Sequence, residues 1–241
     1  SANRIRDNGT GVVSTVAGNV NGFGFVGVAD PNEIFANTTG VALTGQMQNQ
    51  HVFDNTTGVN GSGILGGATL DLANLIERNT TGVGGFTGTI QFSRIARNGV
   101  GIAATNGLIV IHNLVYKNTT AGIAVNADTD VRIVSNTIYA PLGDSLRIDG
   151  SSTAIEVRGN IVWSETGYDV YVDNNSQAGF YSDYNNLHAS GTGRVAYWTK
   201  DFTDVLDFQA DVAAFDLHSI GRTAVNPAGS EPKFYNRAFD D

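Results

Sequence analysis

A cluster of charged and aromatic side chains between residues 147 and 198 is of the kind that binds sugars. A cation, two carboxylates and two aromatic rings are supplied by Arg147, Asp149, Tyr171, Asp173 and Trp198. Aromatic rings cover the apolar face of a pyranose, and charged groups hydrogen-bond to its hydroxyls. Two neighbouring carboxylates can also act as the acid and the base or nucleophile that cleave a glycosidic bond. The five residues are therefore a candidate polysaccharide-binding site, and Arg147, Asp149 and Asp173 are its candidate catalytic residues.

Oxygen ligands for a calcium ion occur in the same stretch. Asn126, Asp149 and Asp173 carry the amide and carboxylate oxygens that calcium prefers. Such an ion would bridge the aspartates to an acidic polymer such as a polyuronate. Zinc is not expected, since the chain has no cysteine and its four histidines form no H-x-H or H-E-x-x-H motif. Calcium is therefore the one cofactor that the sequence suggests.

Two other interpretations of these residues stay open. Asp149 and Asp173 can simply cap turns on a solvated surface, in which case the chain is a structural stalk or part of an adhesin. The chain can instead be an active polysaccharide lyase or glycoside hydrolase. A further outward set comprises Arg132, Glu156, Arg158 and Tyr184, and its opposite charges favour a surface ion pair over a binding site.

The elements that must position these residues come from an internal repeat. N-T-T-G-V occurs at 37–41, 55–59 and 79–83. Five residues before each of these asparagines stands another polar residue. That polar column contains Asn3, Asn32, Gln50, Asn74, Ser93, Asn113, Asn136, Asn160 and Asn186. Two positions after each member comes an aliphatic residue, except for His188 in the last copy. A repeat of this length with β-branched residues and glycine turns predicts a β-solenoid.

The copy around Asn136 shows how one coil is built. Apolar residues alternate with polar ones near 131–133, 138 and 146–149, which predicts three short strands separated by turns. Leu146 and Ile148 would point inward, so Arg147 and Asp149 would point outward. Successive coils lie about 4.8 Å apart, the ordinary strand separation. This spacing should bring Arg147 beside Tyr171 and Asp149 beside Asp173, with Trp198 continuing the outward column.

The polar column with an aliphatic residue two positions later resembles the asparagine ladder of right-handed parallel β-helix proteins, the pectate-lyase-like superfamily. The resemblance covers roughly residues 3–200 and implies a single-stranded right-handed parallel β-helix of about nine coils. In that superfamily the third strand of each coil lines a polysaccharide groove. The resemblance does not choose among lyases, hydrolases, adhesins and stalks, since one fold hosts many functions. Motifs typical of its enzymes, such as G-H-G, R-x-K and D-P-H, are missing here.

The last forty or so residues follow a different pattern. Apolar spacing over 203–215 predicts a short amphipathic helix capped by Thr203 or Asp204. The chain is therefore divided into a β-helix over 1–200 and a covering segment over 201–241.

Charge and composition limit the partners. The net charge is −9, and no basic stripe is visible, so neither nucleic acid nor an anionic membrane is an expected partner. The leading expectation is an extracellular or cell-surface module, bacterial in origin, that contacts polysaccharide as part of a larger carbohydrate-active protein.

Overall fold

Alternating β-branched residues and regularly spaced bends wind the chain into stacked coils. The computed structural model describes residues 3–15, 23–24 and 31–233. Its strands pair in parallel from coil to coil, with one antiparallel pair near the C-terminal end of the described part. The expected all-β parallel helix is confirmed.

The elements have the following bounds. The strands are β1 (Arg4–Arg6), β2 (Thr10–Val13), β3 (Phe23–Gly24), β4 (Asn32–Phe35), β5 (Thr39–Gln48), β6 (Gln50–Phe53), β7 (Thr57–Leu65), β8 (Leu75–Glu77), β9 (Thr81–Gln91), β10 (Arg94–Ala96), β11 (Val100–Ala103), β12 (Ile109–Ile111), β13 (Leu114–Tyr116), β14 (Ala121–Asn126), β15 (Arg132–Val134), β16 (Thr137–Ala140), β17 (Asp144–Asp149), β18 (Glu156–Arg158), β19 (Ile161–Ser164), β20 (Tyr168–Val172), β21 (Tyr181–Asp183), β22 (Asn186–Ala189), β23 (Arg194–Trp198), β24 (Lys200–Phe202) and β25 (Ile220–Gly221). The helices are a 3₁₀ turn (Leu70–Leu72) and α1 (Val205–Val212).

Two sheets run along the coil stack. The first has the order β1-β4-β6-β8-β10-β13-β16-β19-β22-β25. The second sheet bends, because its long strands β5, β7 and β9 each extend over two faces of the coil. These strands are ten, nine and eleven residues long. Beyond β9 these faces separate into β11-β14-β17-β20-β23 and β12-β15-β18-β21. The three strands per coil that the sequence predicts are present from β12 onward.

The interior is filled by the inward side chains of all three faces. Ile133, Ile138, Leu146 and Ile148, which belong to one coil, are fully buried. Each stacks on the equivalent residue of the next coil, as the pairing of Ile148 with Val172 shows. A coil cannot bury its apolar side chains alone, so neighbouring coils stabilise one another.

The polar column forms the predicted ladder at the bend between the first and second strands of the coil, as between β15 and β16. Asn136 illustrates it: its Oδ1 accepts hydrogen bonds from the backbone N–H and Nδ2 of Asn113, at 2.9 and 3.0 Å. Its own Nδ2 donates to the carbonyl oxygens of Val110 and Val134 and to Oδ1 of Asn160. Each ladder side chain therefore hydrogen-bonds to backbone groups at a sharp bend and to the ladder side chains of the neighbouring coils.

The last predicted member of this ladder is wrong by one residue. Asn160 donates to Asn185 and not to Asn186. The bend is made by Tyr184, whose φ is 59°, and the residue after this left-handed position enters the ladder. Asn186 instead points outward and donates to the carbonyl oxygen of Ser230. The aliphatic residue two positions on is thus the fully buried Leu187 rather than His188.

A second ladder, not recognised in the sequence, is formed by the asparagines of the N-T-T-G-V copies. Asn55 accepts from Asn37 and donates to Asn79, which in turn donates to Asn98. The glycine of the motif makes room for it. A Cβ built on Gly82 would lie 2.6 Å from the carbonyl oxygen of Gly101 and 2.9 Å from Nδ2 of Asn98. N-T-T-G is therefore a ladder asparagine with the glycine that lets it stack.

Gly82→Ala should lower the free energy of unfolding by about 1–3 kcal/mol, because its methyl group would displace the ladder or the neighbouring backbone. Gly9→Ala is the matched control, since a Cβ at Gly9 meets no atom within 4 Å. Chemical denaturation of both variants measures the difference. Equal stabilities would contradict the role given to Gly82.

The segment after residue 200 contains the predicted helix and also returns to the coil stack. Asp204 caps α1, since its side chain accepts from the backbone N–H of Leu206 at 2.7 Å. Beyond α1, β25 pairs with β22 and extends the first sheet. The division of the chain at residue 200 stays a prediction.

Candidate functional site

The candidate site lies on the outward side of β14, β17, β20 and β23, where coil stacking aligns its members. Arg147 pairs with Tyr171 and is flanked by Ala124, as the alternation predicts. Asn126 pairs with Asp149. Val172 pairs with Ile148, and Asp173 is the next residue in the chain. The backbone N–H of Asp173 donates to the carbonyl oxygen of Ile148. The register thus confirms that Arg147 lies beside Tyr171. Asn126 and Asp149 end their strands, and Asp173 follows the end of β20.

Arg147 is held by two carboxylates. Its Nε lies 2.8 Å from Asp149 Oδ2, and its Nη1 lies 3.0 Å from Asp144 Oδ2. Asp144 also accepts the backbone N–H of Tyr168 through its other oxygen, at 3.0 Å. The guanidinium is thus fixed in one orientation and its charge is already balanced within the protein.

Tyr171 lies in a stack of planar side-chain groups that runs along the coil axis. The Arg147 guanidinium carbon is 4.3 Å from the centre of the Tyr171 ring. In the next coil Tyr197 stacks on Tyr171, with ring centres 4.8 Å apart and planes inclined by 16°. Both faces of Tyr171 are therefore covered, and the side chain is only partly exposed. This arrangement differs from the expected platform, in which a ring face would cover a sugar.

Tyr168 and Arg194 extend this stack sideways, and neither was among the site residues predicted from the sequence. Tyr168 meets Tyr171 and Tyr197 edge to face, at 5.3 and 6.1 Å. Its hydroxyl donates to Asp201 Oδ1 at 2.7 Å, and Asp201 also pairs with Arg194 at 2.8 Å. Burial, together with this hydrogen bond to a carboxylate, raises the pKa of Tyr168 to about 12. The hydroxyl is therefore protonated at neutral pH.

We define the arginine–tyrosine face as the outward side chains of these strands and of their connecting residues. Its members are Asp144, Arg147, Asp149, Tyr168, Tyr171, Asp173, Arg194, Tyr197 and Asp201.

The placement of Trp198 in this outward column is wrong. Trp198 pairs with Val172, an inward residue, while Tyr197 takes the position beside Tyr171. Its indole packs on Phe180 and Phe215, with ring centres 5.6 and 5.0 Å apart. Trp198 thus helps to close the end of the core. Tyr197 could have been found by continuing the alternation from the buried Ala196, a residue too small to mark an inward position clearly.

The carboxylates are engaged in local interactions. Asp149 binds Arg147, while Asp173 accepts the backbone N–H of Asn174 at 2.8 Å. Within the described ranges, no three histidine, aspartate or glutamate side chains are grouped so as to hold a metal ion. Calcium binding by Asn126, Asp149 and Asp173 and catalysis by Arg147, Asp149 and Asp173 stay predictions.

The other outward set contains the expected ion pair. Arg132 Nε lies 2.7 Å from Glu156 Oε2. Further along the coil axis, Arg158 lies over the Tyr184 ring, and Tyr184 stacks on His218 with planes inclined by 6°. His218 in turn binds Asp183 at 2.7 Å. This face is a chain of local contacts.

The Asp183 carboxylate should make stability depend on pH. Burial raises the pKa of Asp183, but hydrogen bonds from the His218 ring and from the N–H groups of His218 and Tyr184 outweigh it, so the net pKa is lowered. A lowered folded-state pKa contributes stability above the unfolded value of about 3.9, and this stability is lost as pH falls through the folded value.

Asp183→Asn should therefore be less stable than the parent protein at pH values above about 5, and the difference should shrink between about pH 4 and 2. Urea denaturation across this range measures it. A difference that is constant with pH would contradict the ionic role of Asp183.

Comparison with known proteins gives one match. A family model described as a right handed beta helix region matches residues 32–187, more than half of the 241-residue chain. Neither a curated protein nor a solved structure matches the chain. Across the described residues, no helix is long and apolar enough to cross a membrane.

Proposed function

The chain belongs to the right-handed β-helix family, and we propose that its arginine–tyrosine face binds a neutral polysaccharide. The stack of Arg147, Tyr171 and Tyr197 is the observation that supports this proposal most. It holds two phenol edges and a guanidinium in fixed positions on consecutive coils. Groups that are fixed before binding lose little conformational entropy when a ligand arrives.

The chemistry of the face suits a ligand rich in hydroxyl groups. Burial, together with the nearby Asp173 carboxylate, raises the pKa of Tyr171, so its hydroxyl stays protonated. A phenol both donates and accepts hydrogen bonds, a guanidinium only donates, and a carboxylate only accepts. Sugar hydroxyls can match all three groups.

The charges favour neutral polymers over acidic ones. Arg147 already binds Asp144 and Asp149, and Arg194 binds Asp201. With Asp173 the face carries four aspartates against two arginines, on a protein with net charge −9. A polyuronate would have to displace internal carboxylates and would meet a repulsive field. Because polysaccharides lie outside cells or on their surface, we also propose an extracellular or cell-surface location for the protein.

A binding panel with the whole chain tests the proposal. Calorimetric titration with cello-, manno- and xylo-oligosaccharides should show saturable binding to at least one of them. Because neutral binding involves no counterion, raising the salt from about 50 to 500 mM should leave it nearly unchanged. Polygalacturonate and alginate should bind more weakly, with or without calcium. Binding of the acidic polymers alone would contradict neutral recognition, and no binding to any polymer would favour a structural stalk.

A further inference from the structure

An open cavity on the outer side of the first sheet lies away from the arginine–tyrosine face. It has a volume of about 380 Å³ and is lined by Leu70, Asp71, Ala73, Leu75 and Arg94. Leu75 and Arg94 are neighbours on β8 and β10. Leu70 and Asp71 belong to the 3₁₀ turn, part of a long connection between β7 and β8. Pockets of this size hold small organic molecules.

Arg94 is an unpaired cation in this cavity. Within the described ranges its guanidinium makes no ion pair or hydrogen bond, although Asp71 lines the same cavity. On the adjacent strand, the Glu77 carboxylate lies two positions beyond Leu75 and is engaged by other residues.

The Glu77 carboxylate binds three other donors. One oxygen accepts from His51 at 3.0 Å and from Arg78, and the other accepts from Arg97 at 2.5 Å. Burial raises the pKa of Glu77, but these partners outweigh burial and lower it, so Glu77 stays ionised in its own network. It therefore does not compete for Arg94.

We propose that this cavity binds a small monocarboxylic acid with an apolar body, its carboxylate on Arg94 and its apolar part against Leu70 and Leu75. A guanidinium matches a carboxylate through two parallel hydrogen bonds. The two leucines offer apolar surface, and Leu70 is 37% exposed. Asp71 adds a negative charge that disfavours dianions. The ligand is thus defined by one negative charge and an apolar part.

Titration of the whole chain with hexanoate, followed by the NMR signal of the Arg94 side chain, tests the proposal. Hexanamide has the same shape without the charge, and it should bind at least about tenfold more weakly because the charge-assisted bonds are lost. Succinate, a dianion, should also bind more weakly than hexanoate.

Variants locate the site. Arg94→Gln should weaken hexanoate binding at least about tenfold, and Arg94→Lys should give an intermediate affinity. Arg132→Gln, on a different face, is the matched control and should bind like the parent. Arg94 is exposed, so its variants should keep the parent melting temperature. The proposal is overturned if hexanoate does not saturate, if hexanamide binds equally well, or if Arg94→Gln and Arg132→Gln have the same affinity.

Discussion

Asn136→Leu is expected to lower the free energy of unfolding by about 3 kcal/mol or more, because several buried polar groups lose a hydrogen-bond partner. In the parent, Asn136 receives the N–H of Asn113 and donates to the carbonyl oxygens of Val110 and Val134. Leucine has the same branched shape but neither donor nor acceptor. Each buried group left without a partner costs about 1–3 kcal/mol. Chemical denaturation at neutral pH measures the loss.

Two comparisons make this result specific to the ladder. Arg132→Ala, on the surface of the same coil, should cost under about 0.5 kcal/mol. Asn136→Asp keeps an acceptor for the Asn113 N–H but buries a carboxylate against the carbonyl oxygens of Val110 and Val134, so it should also be strongly destabilised at neutral pH. A leucine variant as stable as Arg132→Ala would contradict the ladder's contribution to folding.

Tyr171→Phe/Tyr197→Phe is expected to weaken binding of the neutral oligosaccharide at least about tenfold, because two hydroxyl partners are lost. The phenylalanine rings should stack in the same way, since the ring contacts between these residues do not use the hydroxyls. Binding by ring faces would leave the affinity nearly unchanged. Calorimetry with the oligosaccharide that binds the parent most tightly measures the effect.

The control pair for this variant is Tyr181→Phe/Tyr184→Phe. These tyrosines are 42% and 50% exposed and lie outside the arginine–tyrosine face. Their affinity should equal that of the parent. An equal loss of affinity in both double variants would mean that the Tyr171 and Tyr197 hydroxyls have no special role in binding.

The coil repeat could be predicted because one spacing places both the bends and the core. A polar residue followed two positions later by an aliphatic one marks each bend and the buried position after it. Asn185 satisfies this pattern through Leu187, whereas Asn186 is followed two positions later by His188. The left-handed backbone of Tyr184 likewise places Asn185 in the ladder. The second ladder was present as N-T-T-G-V, but a turn motif does not reveal that its asparagines meet.

The strands that carry the candidate site could be predicted from the sequence, but the direction of every side chain could not. Alternation within β17 and β20 places Arg147 beside Tyr171. In β23 the small Ala196 hides the inward position, and Trp198 was therefore assigned to the wrong side. Ring orientation depends on the stacking of Tyr197 and Arg147 against Tyr171, which a strand pattern does not encode.

Hydroxyl-radical footprinting of tyrosine side chains, with and without a saturating neutral oligosaccharide, tests the central claim most directly. The claim is that a neutral glycan lies on the arginine–tyrosine face. Oxidation of Tyr168, Tyr171 and Tyr197 should fall when the ligand is bound, because it covers their edges. Oxidation of the exposed Tyr181 and Tyr184 should not change, so they serve as internal controls. Protection of Tyr181 and Tyr184 alone, or unchanged oxidation of Tyr171 and Tyr197 under saturation, would contradict the account.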